Sequence, residues 1–129
     1  MNNKLGTLYI VSTPIGNLND ITNRAIEILN KVDICAAEDT RKSMKLFNFY
    51  QINTKLTSYH KFSEKSKTKG LVEKLLSGKD VAIISDAGTP LISDPGRYLV
   101  IGAIEENIEI VPIPGASSVI SSLQLSGMP

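Results

Sequence analysis

One histidine, one cysteine and no tryptophan occur among the 129 residues, and this scarcity excludes more chemistry than any motif supplies. A single imidazole and a single thiol cannot build a zinc shell, and one cysteine cannot form a disulfide within the chain. With no G-x-S-x-G elbow, a nucleophilic triad has no seat. The dinucleotide fingerprint G-x-G-x-x-G and the phosphate loop G-x-x-x-x-G-K-[ST] are also missing, so a dinucleotide or ATP held in the usual way is disfavoured. No apolar run approaches the roughly 18 residues of a membrane span. Met1-Asn2-Asn3-Lys4 leads into a strand-like run without a cleavage pattern, so the chain reads as cytoplasmic with no membrane partner. Cys35, inside the apolar run Ile34-Cys35-Ala36-Ala37, reads as a buried structural thiol.

Net charge is small, at +1, but unevenly placed. Between Arg41 and Lys79 ten Lys or Arg face only Glu64 and Glu73, which leaves that stretch at +8 and the remainder at −7. A segregated basic region, 41–79, is the footprint expected for a polyanion such as RNA, or else the solvated surface of a lysine-rich helix.

What is present is an alternation of strand-like and helix-like segments. Residues 5–12 are rich in β-branched and aromatic side chains, 33–37, 81–85 and 108–113 are short and mainly apolar, and 55–59 alternates weakly, so all five read as strands. Between them, apolar residues recur at helical period. Ile21, Ala25, Ile28, Leu29 and Val32 follow an expected Asp20 N-cap, and Met44, Phe47 and Phe49 mark a second helix. Leu71, Val72, Leu75 and Leu76 form a third inward face, stopped at Gly78. Leu99, Val100, Ala103 and Ile104 form a fourth, and Val119, Ile120 and Leu123 a last one ending at Gly127. This order predicts an α/β fold of about five mostly parallel strands with helices on both faces.

Five unusual stretches directly follow the strands: Thr13-Pro14-Ile15-Gly16, Glu38-Asp39-Thr40-Arg41, His60, Asp86-Ala87-Gly88-Thr89 and Pro114-Gly115-Ala116-Ser117-Ser118. A parallel sheet collects all five at its carboxyl edge, where open α/β folds bind ligands. Backbone donors, small hydroxyls and Asp86 suit a small molecule with an ammonium and a carboxylate. The competing explanation is ordinary turn chemistry serving the fold alone.

Taken together, Val11-Ser12-Thr13-Pro14-Ile15-Gly16-Asn17-Leu18, Ala36-Ala37-Glu38-Asp39-Thr40-Arg41, Ser85-Asp86-Ala87-Gly88-Thr89-Pro90 and Val111-Pro112-Ile113-Pro114-Gly115-Ala116 resemble the N-terminal half of the tetrapyrrole methylase superfamily. The chain is most similar to its branch that methylates a cytidine ribose 2′-hydroxyl in 16S ribosomal RNA. The resemblance implies two α/β domains with S-adenosylmethionine between them, usually in a homodimer. Residues 1–129 would be the N-terminal domain, the C-terminal domain would lie outside this chain, and this half alone would be inactive. By position, cofactor contacts fall at Pro14, Ile15, Asp86, Ala87, Gly88, Thr89, Ser117 and Ser118. Glu38 or Asp39 is expected to orient or deprotonate the hydroxyl while Arg41 grips a phosphate, or else to cap the next helix with Arg41 as its ion-pair partner. The alternatives are a tetrapyrrole-precursor C-methyltransferase and a non-catalytic binding or assembly domain.

Overall fold

The computed structural model describes residues 4–60, 64–84, 96–116 and 123–127. Nine regular elements alternate in order: β1 (Thr7–Val11), α1 (Asn23–Lys31), β2 (Ile34–Ala37), α2 (Thr40–Phe49), β3 (Lys55–Ser58), α3 (Glu64–Leu76), β4 (Val81–Ile84), α4 (Arg97–Glu105) and β5 (Glu109–Ile113). Residues 123–126 are also helical, with Leu123 half exposed. Every strand pairing is parallel, in the order β3-β2-β4-β1-β5.

Direction of travel explains the layering. From β1 the chain moves through α1 and α2 toward the β3 edge, and from β3 it returns through α3 and α4 toward the β5 edge. Right-handed crossovers place opposite directions of travel on opposite faces. One core accordingly joins Ala25 and Leu29 of α1 and Leu46 and Phe47 of α2 to Val11, Cys35, Ala82 and Ile84. The other joins Leu71 and Leu75 of α3 and Leu99 and Ala103 of α4 to Leu8, Ile34, Val81 and Ile83. Central strands covered on both faces have no polar alternation, so β2 and β4 are buried at all positions. Cys35 is fully buried, and burial pushes its thiol far above the ordinary range. Its place in the core is that of a small apolar side chain.

Two details of the expected helices are corrected. Asp20 does not cap α1: its N–H donates to the Asn17 carbonyl at 2.9 Å in a turn, and Thr22 caps instead, Oγ1 accepting from Ala25 N–H at 3.0 Å. Ile104 is not packed but 61% exposed, because α4 presents Leu99 and Ala103 to the sheet and Gly102 to α3. An added Cβ at Gly102 would sit 3.1 Å from Val72 Cγ2.

The C-terminal ends of α2, α3 and α4 share a left-handed closing residue and a six-to-one bond. Gly78 (φ 96°) closes α3, with Lys79 N–H donating to the Lys74 carbonyl at 3.0 Å. Gln51 (φ 56°) closes α2, with Ile52 N–H donating to Phe47 at 2.8 Å. Asn107 (φ 57°) closes α4, with Ile108 N–H donating to Ala103 at 2.9 Å. Only glycine takes this conformation without a Cβ penalty. Gln51→Gly should therefore raise stability by about 0.5 kcal/mol, the relief of left-handed strain outweighing the added freedom of the unfolded chain. A chemical-denaturation midpoint equal to or below the parent's would contradict that balance.

Candidate functional site at the carboxyl edge of the sheet

The register aligns the carboxyl ends of the strands. Ile84 pairs with Ala37, Ala37 with Ser58, and Val11 with Ile113. The segments that follow β1, β2, β3 and β5 thus emerge at one level, with those on β1, β2 and β5 carrying expected site residues. Asp86, Ala87, Gly88, Thr89, Ser117 and Ser118 lie outside the described residues, as does the rest of the segment between Ile84 and Gly96.

Neighbours β2 and β4 are followed by connections that leave in opposite directions and on opposite faces. Such a reversal opens the crevice in which sheets of this class bind ligands. Glu38 and Asp39 stand at its β2 side, both half buried. On the β1 side, Ser12 and Thr13 are buried, Pro14 is half buried, and Ile15 and Leu18 are exposed at 36% and 39%. The loop is anchored from α2, where the Tyr50 hydroxyl donates to the Leu18 carbonyl. At β5, Ser12 N–H donates to the Ile113 carbonyl at 3.1 Å, and an added Cβ on Gly115 would meet Ser12 Cβ at 3.1 Å. Gly115 lets two of the loops approach each other.

Asp39 has a structural duty. It is the N-cap of α2, its Oδ1 accepting from Arg41 N–H at 2.9 Å, with Arg41 Nε at 3.6 Å. That backbone bond, helped by the Arg41 charge, lowers the carboxyl below its usual range. A depressed acid stabilises the fold in its ionised form, so this cap is present at neutral pH and lost as acid titrates it. The same depression makes Asp39 a weak proton acceptor. The capping and pairing expected as the alternative role for this trio are thus found for Asp39 and Arg41, while Glu38 does not cap α2.

One feature was invisible in the sequence. A cavity of about 70 Å³ lies between the first loop, α2 and the end of β4, lined by Thr13, Pro14, Leu18, Ser43, Leu46 and Ile84. Ser43 is 4% exposed, and among the described residues its Oγ has no hydrogen-bond partner. An unsatisfied buried hydroxyl costs about 1–3 kcal/mol. Ser43→Ala should therefore be neutral to stabilising by roughly 1 kcal/mol in urea unfolding; a clear loss would mean the hydroxyl is satisfied after all. No residue-type pattern singles out Ser43, because serine within a helix usually faces solvent.

Among the described residues, no group of three or more His, Cys, Asp and Glu is placed to hold a metal, and no helix is long and apolar enough to cross a membrane.

Comparison with known proteins agrees with this architecture. Solved structures share the fold at low identity. Diphthine synthase superposes with a TM-score of 0.76 at 18% identity, over 96% of this chain and 50% of its own. Uroporphyrin-III-C-methyltransferase from Thermus thermophilus gives 0.69 at 19%, over 96% and 54%. Sequence relatives are much closer. Proteins named Ribosomal RNA small subunit methyltransferase I are 52% identical in Halalkalibacterium halodurans, over 96% of this chain and 43% of theirs, and 54% identical in Mycoplasmopsis pulmonis, over 97% and 56%. The chain thus spans about half the length of the curated relatives it matches. The family model of the Tetrapyrrole (Corrin/Porphyrin) Methylases matches residues 7–129, and, in keeping with the parallel sheet, its reversal point and these relatives, the chain belongs to that family.

Proposed function

We propose that this chain is the N-terminal α/β domain of a two-domain, homodimeric, cytoplasmic enzyme that methylates the ribose 2′-hydroxyl of a cytidine in 16S ribosomal RNA, using S-adenosylmethionine. The observation that carries this reading is identity above 50% to small-subunit rRNA methyltransferases over nearly the whole chain.

The residues fit the cofactor. Ile15 and Leu18 offer exposed apolar surface beside the crevice, and Ser43, whose hydroxyl has no partner among the described residues, lines a neighbouring cavity. Pro14 and Ile15 form part of the wall, with Asp86, Ala87, Gly88, Thr89, Ser117 and Ser118 assigned to it by position in the sequence. When bound, S-adenosylmethionine supplies an electrophilic methyl group on a sulfonium. Everything else falls to the protein: holding the ribose in line and removing the hydroxyl proton. Glu38 is assigned as acceptor of that proton, because Asp39 is committed to its helix and held ionised. Arg41, almost fully exposed beside Asp39, is assigned to a substrate phosphate. The basic region 41–79 supplies the wider attraction for RNA.

The test is a methyl-transfer assay with the complete enzyme on small ribosomal subunits and, in parallel, on a porphyrinoid precursor. Label in ribose-methylated cytidine supports the reading. Label in the porphyrinoid alone would hand the function to the tetrapyrrole branch, and no cofactor binding by the complete enzyme would leave a non-catalytic domain.

A further inference from the structure

Outside the edge strand β3 lies an open groove of about 630 Å³, a volume in the range of ligand-binding sites. Arg41 and Met44 of α2 form one wall, Leu56, Thr57 and Ser58 of β3 the floor, and Lys67 of α3 the other wall. Among the described residues, β3 has a strand neighbour on one side only. Lys67 is held across the groove, its Nζ donating to Thr57 Oγ1 at 3.1 Å. Met44 is 44% exposed although it is a large apolar side chain. The groove therefore combines two cations, of which Lys67 is held in place, with two hydroxyls and the apolar surface of Met44 and Leu56. Diffuse attraction to a polyanion would need only the cations.

Its position matters as much as its contents. Ser58 pairs with Ala37, the residue before Glu38, so the groove begins about one strand spacing, roughly 4.8 Å, from the crevice. Arg41 belongs to both, following Asp39 at the start of α2 and lining the groove. A strand of nucleic acid with one ribose at Glu38 and running toward the β3 edge would have its next nucleotides over β3.

Resting on the RNA reading above, we propose that this groove is a subsite for single-stranded RNA flanking the methylated nucleotide: Arg41 and Lys67 hold its phosphates, Thr57 and Ser58 bond to phosphate or ribose, and an unstacked base lies on Met44 and Leu56. Single-stranded RNA is specified because a paired, stacked base has no free face for an apolar floor, whereas splayed bases in loops and ends do. An added peptide strand along β3 is the competing occupant. It would bond to backbone alone and respond little to charge or salt.

The experiment is fluorescence-anisotropy titration of this chain with a labelled twelve-nucleotide single-stranded RNA across a potassium chloride series. Lys67→Gln should weaken binding about fivefold and flatten the slope of log affinity against log salt by about 0.7, the share of one phosphate contact on a single strand. Lys67→Arg should restore both. Met44→Ala should weaken binding about threefold with the slope unchanged, since it removes apolar contact and no charge. Lys4→Gln, outside the basic region 41–79 and ahead of β1 at the amino edge of the sheet, is the control and should change affinity by less than twofold. Equal losses for Lys67→Gln and Lys4→Gln would overturn the groove in favour of diffuse attraction, and tighter binding of a duplex of the same length would overturn the single-stranded assignment. Because the methyl-transfer assay is separate, methylated subunits together with a silent Lys67→Gln reject the groove alone, while porphyrinoid methylation rejects the RNA reading beneath it.

Discussion

Gly6→Ala is expected to remove about 4–5 kcal/mol of stability and to lower the melting temperature steeply. A Cβ at that position would lie 1.7 Å from the Lys79 carbonyl oxygen and 2.5 Å from its carbon. Both backbones are tied in place. Gly6 N–H donates to the Leu75 carbonyl at 2.8 Å, and Lys79 N–H donates to Lys74 at 3.0 Å as part of the close of α3. The next residue on each side is clasped as well, with Thr7 N–H donating to Asp80 Oδ1 at 2.8 Å. Asp80 N–H donates to Asp33 Oδ2 at 2.8 Å, and Asp33 N–H returns a bond to the Asp80 carbonyl at 3.0 Å. Lys31, its ammonium raised above the lysine range chiefly by its bond to the Tyr9 hydroxyl, stands 3.8 Å from Asp80 Oδ2. Relief of the clash must therefore break the amino-edge bonds joining β1, β2 and β4. Overpacking against yielding side chains costs about 1–3 kcal/mol. Backbone against backbone should exceed that and reach the roughly 4–5 kcal/mol of exceptional substitutions, out of a total near 5–15 kcal/mol. Gly70→Ala is the matched control, since Gly70 lies in α3 with nothing within 4 Å of an added Cβ. It should stabilise by about 0.5–1 kcal/mol. Circular dichroism of the two variants decides: a Gly6→Ala chain that melts with the parent would show that the two segments can part at little cost.

That clasp marks the boundary of what the sequence could reveal. Apolar runs and helical periods depend on neighbours in the chain, so the strands and helices through β5 appear in their observed order, and the parallel sheet with two covered faces follows from the alternation alone. The end of β2 was legible for the same reason: charged Glu38-Asp39 after Ala36-Ala37 must leave the core. Contacts across the sheet carry no local signature. Asp80 looks like an ordinary surface acid, Gly6 and Asp33 like unremarkable residues at the starts of two strands, and Ser43 like any helical serine. Gly78 was readable as a helix stop, but Gln51 and Asn107 take the left-handed position against their own preference, because the following Ile52 and Ile108 are 4% and 5% exposed and hold the chain in that turn. Asp20 and Thr22 are comparable caps by type, and the turn built on Asn17 chooses between them, its Oδ1 accepting from Asn19 N–H at 2.9 Å.

Glu38→Gln is expected to lower turnover of the complete enzyme by about 10²–10⁴, the usual contribution of a positioned proton acceptor, with the affinity for S-adenosylmethionine kept. Asp39→Asn is expected to cost much less, about tenfold or under, because asparagine caps a helix nearly as well as aspartate and α2 keeps its start. The adjacent carboxylates are separated by what each is already doing. Asp39 Oδ1 accepts from the Arg41 backbone, and a carboxylate whose ionised form is so favoured has little tendency to take a proton. Glu38, one residue earlier, stands before the helix at the end of a fully buried strand, half buried where β2 and β4 diverge. The pH–rate profile gives a second readout. If Glu38 accepts the proton, activity falls on the acid side in the parent, and Glu38→Gln removes that limb as well as most of the rate. Asp39→Asn should leave the limb in place. A large loss in Asp39→Asn with near-parent turnover in Glu38→Gln would reverse the assignment, and near-parent turnover in both would place proton removal with solvent or with a group outside this chain.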